Sequence, residues 1–140
     1  MREKKQYHLV YGDGSSMDII RNGEADMVLT SPPYFSVATE SLLKVPRKKQ
    51  TELNRVREEV TTYALSLRPV YNEINRILKP GGIFALQVKD IHYGGFYCPV
   101  CSLHREMAEA TGLMLKTRTF WHKFGIKSEV KNFLRKPTVG

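Results

Sequence analysis

Only two of the 140 residues are cysteine and only one is tryptophan. Two thiols cannot build the multiple-bridge framework of small secreted folds, and no apolar stretch of signal type follows the basic start Met1-Arg2-Glu3-Lys4-Lys5. The thiols are therefore expected to be reduced and the chain cytoplasmic. No apolar run approaches the roughly 18 residues a membrane-spanning helix needs, so no membrane partner is expected. Internal repeats and low-complexity tracts are absent as well, which excludes a solenoid. Acid is scarce relative to base, 14 Asp plus Glu against 22 Lys plus Arg, for a formal charge of +8. That balance excludes a polycationic partner and suits a polyanionic one. What is present, 41% hydrophobic residues, suffices for the core of one domain over residues 1–140.

The excess positive charge is concentrated. Residues 44–59 hold Lys44, Arg47, Lys48, Lys49, Arg55 and Arg57 against three glutamates, and residues 116–136 hold seven cations against Glu129. Each run reads equally well as a solvated face or as a phosphate-binding surface.

Residues 7–11 (YHLVY) lead into Gly12-Asp13-Gly14, the pattern of a strand ending in a turn. Ser15 and Ser16 can cap a short helix through Ile20, stopped by Asn22-Gly23, and residues 26–30 form a compact apolar run halted by Pro32-Pro33. Residues 36–50 lack periodicity and read as a long surface loop carrying the first basic cluster. From Thr51 the apolar positions Leu53, Val56, Val60, Tyr63, Leu67, Val70, Ile74 and Ile77 recur at threes and fours, the period of a helix. Pro69 is expected to kink or divide that helix, and Lys79-Pro80-Gly81-Gly82 to end it. Residues 83–88 form a further strand ending at Lys89-Asp90, Pro99 sits in the first turn of a helix to about Thr111, and residues 113–121 alternate like a strand. Strands separated by helical crossovers give an α/β fold, a mostly parallel sheet with flanking helices. Such sheets bind ligands beyond the carboxyl ends of their strands, here Gly12-Asp13-Gly14, Ser31-Pro32-Pro33-Tyr34 and Asp90.

Ser31-Pro32-Pro33-Tyr34 carries the most chemistry. Two prolines fix φ and remove two backbone donors, so the Ser31 and Pro32 carbonyls sit in a rigid turn as acceptors. A hydroxyl, a fixed carbonyl and an aromatic ring together suit a planar heterocycle held by its exocyclic amino group, with Tyr34 stacked on the ring. Two acceptors drawing on the amine hydrogens favour a pyramidal nitrogen with a localised lone pair, an effect that grows toward the transition state. A rigid turn closing a strand is the structural alternative.

This tetrapeptide resembles the signature of the amino-methyltransferases of DNA, in which Asp, Asn or Ser precedes Pro-Pro and an aromatic residue. The likeness extends to residues 9–14 (LVYGDG), to Glu73 and Arg76 ahead of Leu78-Lys79-Pro80-Gly81-Gly82, and to residues 112–123, which run in the family's order. The resemblance implies a partial Rossmann-like methyltransferase fold, S-adenosylmethionine as methyl donor with no metal, double-stranded DNA as partner, and a restriction–modification setting. It implies transfer to N4 of cytosine or N6 of adenine, with serine at the first position favouring cytosine. Ser31, Pro32, Pro33 and Tyr34 would be catalytic, Asp13 and Asp90 would face the donor, and Lys44, Arg47, Lys48 and Lys49 would meet DNA phosphates. Cytosine C5 chemistry is not expected, since the nucleophilic cysteine of those enzymes follows a proline and no Pro-Cys dipeptide occurs.

The family's glycine-rich F-x-G-x-G loop has no counterpart, and neither does a target-recognition region. The likeness therefore covers the catalytic half, as expected of a fragment of such an enzyme, a gene remnant, or a protein whose cofactor half is completed by a second polypeptide or self-association. A noncatalytic nucleic-acid-binding remnant is the competing reading. Cys98-Pro99-Val100-Cys101 with His92 and His104 permits a zinc site, but one C-x-x-C is weak support, and packing thiols are the reading adopted.

Overall fold

A computed structural model describes residues 6–35, 52–93, 96–123, 127–136 and 138. Strand β1 (Ala25–Thr30) is followed by helix α1 (Glu52–Ile77) and strand β2 (Leu78–Val88), a crossover unit that lays β1 parallel to β2. Strands β3 (Ile91–Tyr93) and β4 (Phe96–Cys98) pair as a small antiparallel hairpin, helix α2 (Val100–Ala110) follows, and β5 (Met114–Lys123) and β6 (Lys127–Arg135) complete the main sheet. Its order is β1-β2-β6-β5.

The expected mostly parallel character holds for β1 and β2, where Val28 lies opposite Phe84 and Thr30 opposite Leu86. The β2–β6 and β6–β5 pairings are antiparallel. The connection from β5 to β6 is short, and a parallel pair would need a crossover of a dozen or more residues. The β6 strand and the β3–β4 hairpin were not anticipated. Charge at Lys127, Glu129, Lys131 and Arg135 masks the period of β6, whereas Gly94-Gly95 between two aromatic triplets is a readable hairpin signal.

Helix α1 follows its periodicity. Val56, Tyr63, Leu67, Ile74 and Ile77 are buried, joined by Glu59 and Tyr71, and the latter takes the place expected of the half-buried Val70. Pro69 does not divide the helix. It lies on the exposed side, as does Leu65, whose carbonyl loses its helical donor there and can reach water. The helix ends as expected, and Gly81 adopts φ +79° in the turn within β2. A side chain at Gly82 would meet the Lys79 carbonyl at 2.8 Å, so this position admits only glycine without a shift. Pro99 stands at the cap of α2, just before its first turn, and Gly112 at φ +99° closes that helix.

The start of the chain departs from expectation. Residues 7–11 belong to no strand, and Tyr7, Leu9 and Tyr11 are almost fully exposed, because no strand pairs with them among the described residues. Residues 15–20 form turns, with Ser16 N–H on the Asp13 carbonyl and Ile20 N–H on that of Met17, in place of a short helix.

The Glu73 and Arg76 side chains hold this segment to α1. The Glu73 carboxylate accepts the Met17 N–H at 2.8 Å and pairs with Arg76 at 2.7 Å. Arg76 donates to the Met17 and Ile20 carbonyls and to Asn22 Oδ1. Bonds from Arg76 and from the Met17 N–H hold the Glu73 carboxyl down at about 2.

The core lies on the sheet face that carries Phe84, Leu86 and Val88, where α1 and α2 contribute Tyr63, Tyr71, Val100, Cys101 and Ala108. Across from it, Met27 and Leu29 of β1 are 50% and 73% exposed.

Candidate active site

The Ser31-Pro32-Pro33-Tyr34 turn leaves the carboxyl end of β1 beside the end of β2, where an open α/β sheet presents its crevice. Three contacts fasten it. The Ser31 hydroxyl donates to the Gln87 carbonyl at 3.3 Å, which aims its proton at β2 and leaves its lone pairs for an incoming donor. The Tyr63 hydroxyl donates to the Pro33 carbonyl at 3.1 Å. Phe35, only 2% exposed, anchors the following residue, its ring edge-on to Tyr63 at 5.3 Å between centroids.

Tyr34 points the other way. Its ring is 56% exposed, and the Lys89 ammonium lies 4.9 Å from the ring centroid, in cation–π range. Pro32, Pro33, Tyr34, Gln87, Lys89, Tyr63 and His104 line one shallow cleft.

His104 on α2 is 1% exposed and lies between two phenols, with Nε2 2.7 Å from the Tyr63 hydroxyl and Nδ1 2.5 Å from that of Tyr71. Burial pulls its pKa down to about 4, so the ring is neutral at pH 7. The same burial pushes both phenols above their ordinary range, Tyr71 further through Tyr63 beside it. Neither tyrosine nor the histidine was assigned to the site from sequence. Tyr63 and Tyr71 sit on the helical stripe of α1 and look like plain core residues there.

Asp13 is exposed at its turn, where Oδ1 accepts the Ser15 N–H at 2.8 Å and that bond lowers its pKa. Asp90 is engaged differently. Oδ1 accepts the Cys101 N–H at 2.8 Å, in the first turn of α2, and Oδ2 accepts the Tyr97 hydroxyl. Burial alone would raise the Asp90 carboxyl, but these bonds outweigh it and hold it below the usual range. Both carboxylate oxygens are thus engaged, one on the backbone of the first turn of α2 and one on the β4 tyrosine.

Lys44, Arg47, Lys48 and Lys49 lie outside the described residues. Cys98 and Cys101 are buried free thiols, and burial raises Cys101 to about 12, far from a reactive thiolate. Both nitrogens of His104 are engaged by the tyrosines, and His92 packs edge-on to Tyr97. Among the described residues no three His, Cys, Asp or Glu side chains group as metal ligands. No described helix is long and apolar enough to cross a membrane.

No protein-family model matches the chain. It is 28% identical over 99 residues to the type II methyltransferase M.MjaI of Methanocaldococcus jannaschii, a match covering 60% of this chain and 33% of that protein. TTHA0409 of Thermus thermophilus, assigned to the DNA modification methylases and solved with S-adenosyl-L-methionine, superposes with a TM-score of 0.68. The identity is 20%, over 91% of this chain and 52% of that one. The PvuII DNA methyltransferase, cytosine-N4-specific, gives a TM-score of 0.66 at 16% identity, over 90% of this chain and 49% of that one. The fold is that of an S-adenosylmethionine-dependent methyltransferase, in part. In sequence the chain is similar to a type II methyltransferase and in fold to DNA methyltransferases, and it spans a third of the former's length and about half that of the solved structures it matches.

Proposed function

We propose that the chain is the catalytic part of a DNA amino-methyltransferase that transfers a methyl group from S-adenosylmethionine to the exocyclic amine of a flipped base, N4 of cytosine ahead of N6 of adenine. The observation that carries this reading is the direction of the Ser31 hydroxyl. With its proton committed to the Gln87 carbonyl, Ser31 Oγ faces a substrate as an acceptor. Ser31 Oγ and the Pro32 carbonyl would take the two amine hydrogens, and Tyr34, with Lys89 over one face, would offer its other face to the base. The donor supplies an electrophilic methyl on sulfonium. Methyl transfer leaves the nitrogen cationic and acidic, so its proton can pass to solvent afterwards without a dedicated base.

Asp13 would meet the donor ribose, and Asp90 would keep the start of α2 in place beside it. The basic residues Lys44, Arg47, Lys48 and Lys49 would neutralise DNA phosphates, giving a salt-sensitive affinity. The glycine loop and donor pocket would come from residues outside this sequence, from a second polypeptide or from a second copy. The uncovered Met27 and Leu29 on β1 support such a covering partner.

Transfer of labelled methyl from S-adenosylmethionine to duplex DNA by the complete enzyme, this chain joined with its donor-binding part, followed by nucleoside analysis, tests the reading. Label in N4-methylcytosine is expected, reduced by two orders of magnitude or more, roughly the weight of one preorganised hydrogen-bonding group, in Ser31→Ala. Label on cytosine C5, or a Ser31→Ala protein as active as its parent, would refute it.

A further inference from the structure

Of the two proton arrangements open to the contacts of His104 with Tyr63 and Tyr71, one also gives the Pro33 carbonyl its donor from Tyr63. A neutral imidazole carries one N–H and one acceptor nitrogen, and each phenol has a single proton. The Tyr63 proton goes to the Pro33 carbonyl, so His104 Nε2 must donate to the Tyr63 oxygen. Nδ1 is then the acceptor and takes the Tyr71 proton. The opposite tautomer would turn the Tyr63 proton toward Nε2 and strip Pro33 of its donor. Every donor in this chain points the same way, from Tyr71 on α1 through His104 on α2 and back through Tyr63 to the turn after β1. Bonds so aligned polarise one another, and in a buried site the effect is not diluted by water.

We propose that Tyr71, His104 and Tyr63 form a one-way hydrogen-bond relay that positions the Pro32-Pro33 turn, so that all three are positioning residues for the acceptors of the amine. The catalytic part of this inference rests on the reading of the turn as a methyl-transfer site; the relay itself does not. Pro33 has no N–H and cannot be held through its own amide, so its carbonyl is the handle by which the core fixes the turn. A donor on the Pro33 carbonyl fixes the plane of the following peptide and with it the placement of Tyr34. The hydroxyl of Ser31 is held from the other side by β2. Rigid support from both sides matters because displacing an acceptor by an ångström changes rate far more than affinity.

The sequence supplies its own probe. Pro33-Tyr34 is the only Pro-Tyr dipeptide in the chain. Protein labelled with carbonyl-13C proline and 15N tyrosine therefore gives a single carbonyl–amide correlation, which reports the hydrogen bond on Pro33. Tyr63→Phe and Tyr71→Phe keep both rings and remove one hydroxyl each. The relay predicts an upfield Pro33 carbonyl shift in Tyr63→Phe and a smaller shift of the same sign in Tyr71→Phe, although Tyr71 does not touch the turn. Histidine 15N spectra should show the Nε2–H tautomer at His104. In turnover, kcat should fall about tenfold in Tyr63→Phe and less in Tyr71→Phe, with KM for donor and DNA unchanged. An unmoved Pro33 resonance in Tyr71→Phe, or an Nδ1–H tautomer, would overturn the relay. Shifts as expected with an unchanged kcat would overturn its positioning role. Shifts as expected in a protein that transfers no methyl to DNA even when joined with its donor-binding part would support the relay and refute the methyltransferase reading instead.

Discussion

The two faces of β1 meet opposite fates, although both are apolar. Val28 packs against the core beside Phe84, and the turn beyond the strand is locked through Phe35, Tyr63 and His104. Met27 and Leu29 look out from the other face, and at the chain start Tyr7, Leu9 and Tyr11 are also bare. One side has two helices to cover it, and the other has none among the described residues. The difference teaches where the catalytic geometry is self-sufficient. The Ser31-Pro32-Pro33-Tyr34 turn is held by this chain's own core, while Met27 and Leu29 have no helix over them among the described residues.

The comparison breaks most visibly at Tyr63. Tyr63→Ala removes the ring under Phe35 together with the donor to Pro33 and the acceptor for His104. A loss of about 3–5 kcal/mol of stability is expected, as for a large buried aromatic. Urea denaturation measures it, and a loss below about 1 kcal/mol, the level of a surface change, would mean that the turn is held elsewhere.

Acid provides the next largest effect. The unfolded His104 takes up a proton near its ordinary 6.5, while the folded ring resists until about 4. Between those values protons favour the unfolded chain. The stability is thus fully present above pH 6.5 and lost as pH falls through 4, about 3 kcal/mol in all. The urea midpoint measured from about pH 7.5 to 4 should fall across this window, and His104→Gln should flatten the profile. A His104→Gln profile as steep as the parent's would assign the acid sensitivity to other groups. Glu73, held at about 2, loses its contribution lower, as pH falls below the ordinary carboxylate range.

Much of this self-sufficient side was legible in the sequence. The turn announced itself because two prolines after an apolar run have few structural uses, and α1 was readable because buried side chains recur at helical spacing. The relay was not legible, because a tyrosine on a helical stripe looks the same whether its hydroxyl is idle or committed, and His104 pairs with residues 33 and 41 positions away. The strand expected at residues 7–11 failed for a different reason. Apolar β-branched residues state a preference for burial, yet a strand forms only where a neighbour offers its ladder. Asp90 was expected at the cleft from topology, whereas its bonds run to the α2 backbone and to Tyr97 on a hairpin whose Gly94-Gly95 signal went unused.

The link between the two sides sharpens the comparison further. Arg76 joins α1 to the carbonyls of Met17 and Ile20, so Arg76→Ala should release the segment without disturbing the core. Trypsin cleavage after Arg21, whose side chain is 90% exposed, should accelerate severalfold while the urea midpoint moves little. A midpoint that drops as far as that of Tyr63→Ala would show the two sides to be one cooperative unit.

The smallest expected effect is the most informative about the bare side. Leu86 and Leu29 are the same residue on adjacent parallel strands, the first 1% and the second 73% exposed. Leu86→Ala should cost about 2–5 kcal/mol, whereas Leu29→Ser should fall within about 0.5 kcal/mol of the parent. Measured at low protein concentration, that contrast would establish Leu29 as an uncovered residue of the isolated chain. Repeating the measurement at rising concentration then asks what covers it. If a second copy docks on β1, parent stability climbs with concentration by mass action and that of Leu29→Ser does not. If both stay level, copies of this chain do not bury the face, and the search for its cover moves to residues outside this sequence or to a different polypeptide.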